Sequence, residues 1–160
     1  MATELETLRR QVQWLMDKEA IRSVKLRYCR FSDNGRFDDF ATLFTDDYRT
    51  EIHGPPSADG VIPQTRQFHS AAAWVAFARE RDGAWSANAA HHIHGGEIEP
   101  TGPDTARAIW PSQFDGLNGY HDEEYRRVDG VWKISRGRFF AQARRVYQLD
   151  DTPVPPGSLA

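Results

Sequence analysis

The chain has 160 residues, 39% hydrophobic and 27% charged, which suits a single folded domain with a real core and excludes a disordered chain. A net charge of -3, with no long Lys/Arg block, argues against a nucleic-acid-binding surface. The single cysteine, Cys29, leaves no internal disulfide, no apolar run is long enough to span a membrane, and the acidic, amphipathic N-terminus lacks a signal core, so the expected location is cytoplasmic.

Leu5, Leu8, Val12 and Leu15 recur at helical spacing over residues 4–16. Asp17 is placed to cap a second helix that runs to Phe31 and carries Ile21, Val24, Leu26 and Tyr28. Asn34-Gly35 ends that helix, because both residues tolerate left-handed backbone. Phe37 to Phe44 reads as a short amphipathic helix, and Tyr48 to His53 as a strand. Residues 54–66 form a Gly/Pro-rich loop, either a pocket lid or plain surface. Ser70 to Arg81 returns to helix, with Trp74, Phe77 and Ala78 on one side.

Near residue 89 the hydrophobic period changes to two. Strands are expected over residues 89–99, 104–114, 119–128 and 131–143, and Asp129-Gly130 between the last two is a strong hairpin signal. Pro111 is expected at a bulge or an edge. Residues 1–143 would form one domain, and residues 144–160 a Pro-rich tail or an arm on a neighbouring subunit. Helices first and antiparallel strands after them give an α+β domain. A curved sheet with helices across its open side encloses one cavity, whereas a flat two-layer sandwich encloses none; the pattern fits both.

Asp33, at a helix end, and His91, opening a strand, are the leading chemical candidates. If the fold brings them together in an apolar pocket, the carboxylate fixes the imidazole tautomer and the imidazole moves a proton. Without such a meeting, Asp33 is an ordinary capping or surface residue. Strand alternation sends His92 and His94 to the face opposite His91. The run His92-x-His94-x4-Glu99 has the look of a metal-binding strand, but no partner motif follows, so no metal and two surface histidines are expected. Tyr48, Trp85, Trp110, Phe114 and Tyr120 are candidates for an aromatic cavity wall, with ordinary core as the competing role. Asp115 and Asp122 offer a second carboxylate or simple turn groups, and Glu123-Glu124 reads as solvated. Cys29 reads as a small buried hydrophobe. No Gly-rich phosphate loop is present, and no cofactor is expected.

Three stretches carry a resemblance: Glu19-Ala20-Ile21-Arg22 with Tyr28, Asp33, Phe37 and Leu43-Phe44-Thr45-Asp46-Asp47; His91 with Ile98 and Ala106; and Tyr125-Arg126-Arg127-Val128-Asp129-Gly130-Val131-Trp132-Lys133-Ile134. In this order and spacing the chain resembles SnoaL-like proteins of the nuclear-transport-factor-two-like superfamily over roughly residues 5–143. The resemblance implies a cone-shaped α+β barrel whose curved, mostly antiparallel sheet wraps around the N-terminal helices. Its dehydratase and dehydrochlorinase branch has an Asp–His dyad where Asp33 and His91 stand, and the bile-acid dehydratases add a pocket tyrosine where Tyr28 stands. The dehydrochlorinase's arginine on the last strand meets Gly137 here, between Arg136 and Arg138. Alternation then turns both arginines away from the face of Gly137.

The implied function is that of a cofactor-independent, dehydratase-like lyase. The implied substrate is an apolar small molecule with a carbonyl, either cyclic or polyketide/steroid-like. The alternatives are an isomerase or polyketide cyclase, and a noncatalytic small-molecule-binding or assembly module, because one fold hosts many chemistries. Self-association as a dimer or trimer is also implied.

Overall fold

The computed structural model describes residues 3–54, 65–81, 90–114 and 117–142. The first helix, α1 (Glu4–Asp33), opens on a capping box: Thr3 Oγ1 accepts from the Glu6 N–H at 3.2 Å, and the Glu6 carboxylate accepts from the Thr3 N–H at 2.7 Å. The expected break at Asp17 does not occur. Asp17 sits buried in mid-helix and accepts from the Trp132 indole N–H at 3.2 Å and from Arg127 at 2.7 Å. Donors from the sheet satisfy its carboxylate, so a mid-helix Asp, which costs only about 0.7 kcal/mol in propensity, need not start a new helix.

Asp17 also divides α1 into two environments. From there on, Asp17, Ile21, Val24, Lys25, Tyr28, Cys29 and Phe31 are buried against the rest of the fold. Before it, Thr3 to Met16 are exposed, except for half-buried Trp14. Leu26, expected on the apolar side, is exposed, because two residues of helix carry it about 160° from Val24.

The helix ends as the sequence suggests. Gly35 has φ 63° and its N–H bonds Ser32 O at 3.2 Å, while the Arg36 N–H bonds Phe31 O at 2.8 Å. This pair of bonds is a Schellman motif. The Arg36 guanidinium lies 4.8 Å from the centre of the Phe31 ring and covers the turn.

Next come α2 (Phe37–Ala41), β1 (Phe44–His53), β2 (Thr65–Phe68) and α3 (Ala71–Arg81). They are followed by β3 (His91–Ile93), β4 (Glu97–Gly102), β5 (Thr105–Phe114), β6 (Leu117–Val128) and β7 (Val131–Ala141). Helix α2 is shorter than the pattern suggests: Thr42 turns back onto Asp39 O through both its N–H and its hydroxyl, and Phe44 starts a strand instead. The strands form one open, curved seven-stranded sheet in the order β2-β1-β7-β6-β5-β3, with β4 also on β5. The β1–β7 pair is parallel and every other pair is antiparallel. This is the cone-like α+β architecture, with α1 and α2 opening the chain, α3 following β2, and the sheet curving around the helices.

Two local features shape the sheet. The single strand expected over 89–99 is split, and the Trp110 ring fills the space beside Gly96: a Cβ there would lie 2.1 Å from the indole. Pro111 is not on an edge strand but lies opposite an irregular stretch, where His94 to Gly96 face Trp110 and Pro111, three residues against two, and the His94 N–H bonds Pro111 O at 3.0 Å. It pairs with Tyr120 in the unbroken β5–β6 register, and on its other side it falls between the stretches that β4 and β3 cover. A residue without an N–H is tolerated in that gap.

The second feature is a one-residue bulge at Ser135. Glu124 pairs with Arg136 and Tyr125 with Ile134, so Ser135 is the extra residue, and its hydroxyl bonds Glu124 O at 3.1 Å. The bulge resets the alternation. Trp132 and Ile134 are buried before it, and after it Gly137 and Phe139 take the inner face. Asp129 (φ 49°) and Gly130 (φ 79°) form the left-handed turn ahead of β7. No helix among the described residues is long and apolar enough to cross a membrane.

Candidate active site

Between α1, α3 and the inner face of the sheet lies a cavity of about 510 Å³, the size of an ordinary small-molecule pocket. The Schellman turn holds the last residues of α1 at its mouth, where Ser32 and Asp33 join Tyr28 in the lining. His91 comes from the opposite direction at the start of β3. Its ring Nδ1 donates to Asp33 Oδ1 at 2.5 Å, and its backbone N–H donates to Asp33 Oδ2 at 3.0 Å. An ionised carboxylate only accepts, so the proton of neutral His91 sits on Nδ1 and Nε2 is left as the acceptor. Asp33 and His91 side chains are 16% and 11% exposed, shielded but reachable from the cavity. The Phe114 ring stacks on the imidazole at 4.1 Å and fixes its plane.

Tyr28 meets the His91 ring edge-on at 5.9 Å and the His121 ring at the same distance. Burial, with Tyr48 and Glu123 nearby, pushes its phenol well above the ordinary range, so it keeps its proton and serves as a donor. Tyr48 also lines the cavity and is likewise pushed up by burial. The other aromatic candidates divide. Phe114 lines the cavity, whereas Trp110 is buried one layer below, its N–H donating to the Tyr125 hydroxyl at 3.1 Å. Tyr120 is on the outer face, stacked on Phe140 at 5.0 Å, because β6 turns its odd-numbered residues inward from Gly119 to Tyr125. Trp85 lies outside the described residues, as do Asp115, the body of the 54–66 loop and the tail from residue 143.

Two further residues of the site escape a linear reading. His121 is buried, and its pKa is driven well below the usual histidine value, first by burial and then by the charge of Lys25. It is a neutral hydrogen-bonding group in the cavity, 6.5 Å ring to ring from His91. Glu123, read as solvated in the sequence, is 2% exposed and bonds Lys25 Nζ at 2.6 Å. It also accepts from the Tyr125 hydroxyl. Inward alternation from Tyr125 was the available signal: it puts His121 and Glu123 on the same face. Asp122, on the outer face, is held by Arg107 at 2.7 Å and Arg138 at 3.0 Å, which keep its carboxyl below the usual range. Arg136 pairs with Glu51 at 3.0 Å, so neither arginine of the last strand enters the cavity. His92 and His94 are exposed, and no three His, Cys, Asp or Glu side chains converge among the described residues. Burial raises the Cys29 thiol to about 11, which makes it inert.

A family model described as the SnoaL-like domain matches residues 13–138. The chain belongs to the SnoaL-like family. Solved structures similar to this SnoaL-like protein include a proposed scytalone dehydratase from Novosphingobium aromaticivorans DSM 12444, with 18% identity, 85% of this chain and 91% of that chain covered, and a TM-score of 0.65. A hexachlorocyclohexane dehydrochlorinase, LinA-type3 from Novosphingobium barchaimii LL02, has 15% identity, covers 82% and 90%, and also gives 0.65. The β subunit of a proposed aromatic-ring-hydroxylating dioxygenase from N. aromaticivorans has 17% identity, covers 88% and 98%, and gives 0.64. At these identities the likeness is one of fold. Comparison with curated proteins finds no match.

Proposed function

We propose that this SnoaL-like protein is a cofactor-independent lyase that eliminates water from an apolar β-hydroxy carbonyl compound. The observation that carries this reading is the Asp33–His91 hydrogen bond in an aromatic cavity, with His91 Nε2 left as the acceptor. Nε2 removes the proton from the carbon next to the carbonyl. Asp33 stabilises the imidazolium that forms and holds the ring in place. The Tyr28 hydroxyl, kept protonated by burial, donates to the carbonyl oxygen as enolate charge develops. The enolate then expels the β-hydroxyl, which takes the proton from Nε2 and leaves as water, and the imidazole returns to its neutral state. His121, neutral in the same cavity, hydrogen-bonds the substrate without adding charge.

Support from relatives is of two kinds. Structures of the same fold include proteins described as a dehydratase and a dehydrochlorinase, both names for elimination chemistry. Another structure of the same fold is described as the β subunit of a proposed aromatic-ring-hydroxylating dioxygenase. A binding or assembly role gives no reason for a carboxylate-oriented imidazole at the wall of an aromatic-lined cavity, which favours the enzyme.

The test is a panel of small cyclic β-hydroxy ketones in deuterated water, followed by NMR with the wild type and His91→Ala. Elimination that depends on His91 is the expected result. Deuterium incorporation next to the carbonyl without loss of water points to an isomerase or cyclase using the same base. Ligands that bind but show neither reaction, with equal signals from wild type and His91→Ala, would overturn the lyase reading.

A further inference from the structure

Helix α1 is apolar on two sides. Its inner side, Asp17, Ile21, Val24, Lys25 and Tyr28, is buried in the domain. Its outer side carries Leu5, Leu8, Val12, Leu15, Met16 and Leu26, which are 47% to 64% exposed. At 100° per residue these six fall within an arc of about 100°, centred about 180° from the inner set. The domain cannot cover that stripe, because turning it inward would pull Ile21 and Tyr28 out of the core. The N-terminal part of α1 is almost wholly exposed, and a helix of that length is marginal in water without a partner.

The stripe itself indicates the partner. Leu5, Leu8, Val12 and Leu15 are spaced as the a, d, a and d positions of two heptads, with β-branched Val12 at a and leucine at both d positions, which favours two strands. Glu4 then occupies a g position and Arg9 the following e position. In a parallel, in-register pair, g faces the next e of the other helix, so Glu4 meets Arg9 of the second copy on both sides. An antiparallel pair centred on the same four residues would bring Arg9 close to Arg9 of the second copy. The seam is interrupted at Glu19 and Arg22, which pair with each other at 2.8 Å, and becomes apolar again at Leu26. Because the core lies on the far side of α1, two barrels flank such a pair without obstructing it.

We propose that the outer face of α1 is a dimerisation arm, which pairs with α1 of a second copy of this chain as a parallel, in-register two-stranded coiled coil. Sedimentation velocity on the full chain at micromolar concentration tests this. The wild type is expected to be a dimer, and L8E/V12E a monomer that retains cooperative melting. Glu4→Arg and Arg9→Glu should each weaken association, and the double variant E4R/R9E should restore it. Leu5→Cys should give a disulfide-linked dimer on mild oxidation, since buried Cys29 stays unreactive. A monomeric wild type, a dimer insensitive to L8E/V12E, or an L5C protein that does not cross-link overturns the proposal. A monomer that instead co-sediments with phosphatidylcholine/phosphatidylglycerol vesicles reassigns the stripe to a membrane surface.

Discussion

About two turns apart on α1, Lys25 and Asp33 each pair with a side chain of the sheet, and the two pairs are built for different ends. Lys25–Glu123 is closed. Its side chains are 0% and 2% exposed, one Glu123 oxygen takes Lys25, the other takes the Tyr125 hydroxyl, and the Trp110 N–H completes the chain. Asp33–His91 is open. Both Asp33 oxygens are used on His91, yet the imidazole keeps one nitrogen without a protein partner among the described residues, at the wall of a cavity. What separates a structural pair from a chemical one here is therefore not charge or burial alone. It is whether one atom of the pair is left over where a ligand can reach it.

The largest expected effect is on the open pair. His91→Ala should lower turnover by about 10²–10⁴-fold with the fold intact, as loss of a general base does. Asp33→Asn should cost a comparable amount, because an amide no longer stabilises the imidazolium and permits the wrong tautomer. The double variant should be little worse than either single one, since the two act as a unit. A double-mutant cycle on turnover checks this, and losses that multiply would show that the residues work separately.

The closed pair should respond in stability instead. Lys25→Met leaves Glu123 charged and buried, which should cost about 3–5 kcal/mol in urea unfolding. Replacing both partners, as Lys25→Met with Glu123→Leu, should recover part of that loss, because no uncompensated charge remains. If Lys25→Met costs less than about 1 kcal/mol, the pair does not hold the core in the way described.

His121 sharpens the comparison through pH. Its pKa is lowered in the folded chain by burial and by Lys25, so the unfolded state takes up a proton that the folded state refuses. Its contribution is fully present above the unfolded value of about 6.5 and is lost as pH falls below it, with a limiting slope of about 1.4 kcal/mol per pH unit. Urea midpoints at pH 7.5 and 5.5 should differ less in His121→Gln than in the wild type. An equal pH dependence in both would show that His121 titrates normally.

The smallest effect is expected at Tyr28. Tyr28→Phe removes one donor and keeps the ring that packs on Phe40 at 4.8 Å, so turnover should fall by about 10–100-fold, the worth of one hydrogen bond to a developing negative charge. A loss as large as that of His91→Ala would make Tyr28 part of the proton-transfer unit itself.

Much of the fold is legible in the chain because its signals are local. The Asn34-Gly35 stop, the Asp129-Gly130 turn and the change of period near residue 89 each depend on a few adjacent residues whose backbone preferences do not wait for the rest of the molecule. The break placed at Asp17 shows the limit of such signals: a good capping residue marks a helix start only when nothing distant satisfies it, and here Trp132 and Arg127 do. Asp33 and His91 stand out through family resemblance, while their contact is a property of the fold.

The sequence by itself determined the C-terminal stop of α1, the last hairpin and the change from helical to strand period, since these follow from backbone preference and periodicity; β2, inside and just after the stretch read as a loop, and the split of the strand over 89–99 were not legible in it. Only the tertiary structure decided which side chains face the cavity. Alternation is a matter of parity, and the bulge at Ser135 shifts it by one: continued from Trp132 and Ile134 through a regular, unbulged strand, the pattern would have pointed Arg136 and Arg138 inward instead of Gly137 and Phe139. The burial of Glu123 was equally out of local reach. A buried carboxylate needs a partner, and the one that makes it tolerable, Lys25, comes from a helix 98 residues earlier in the chain.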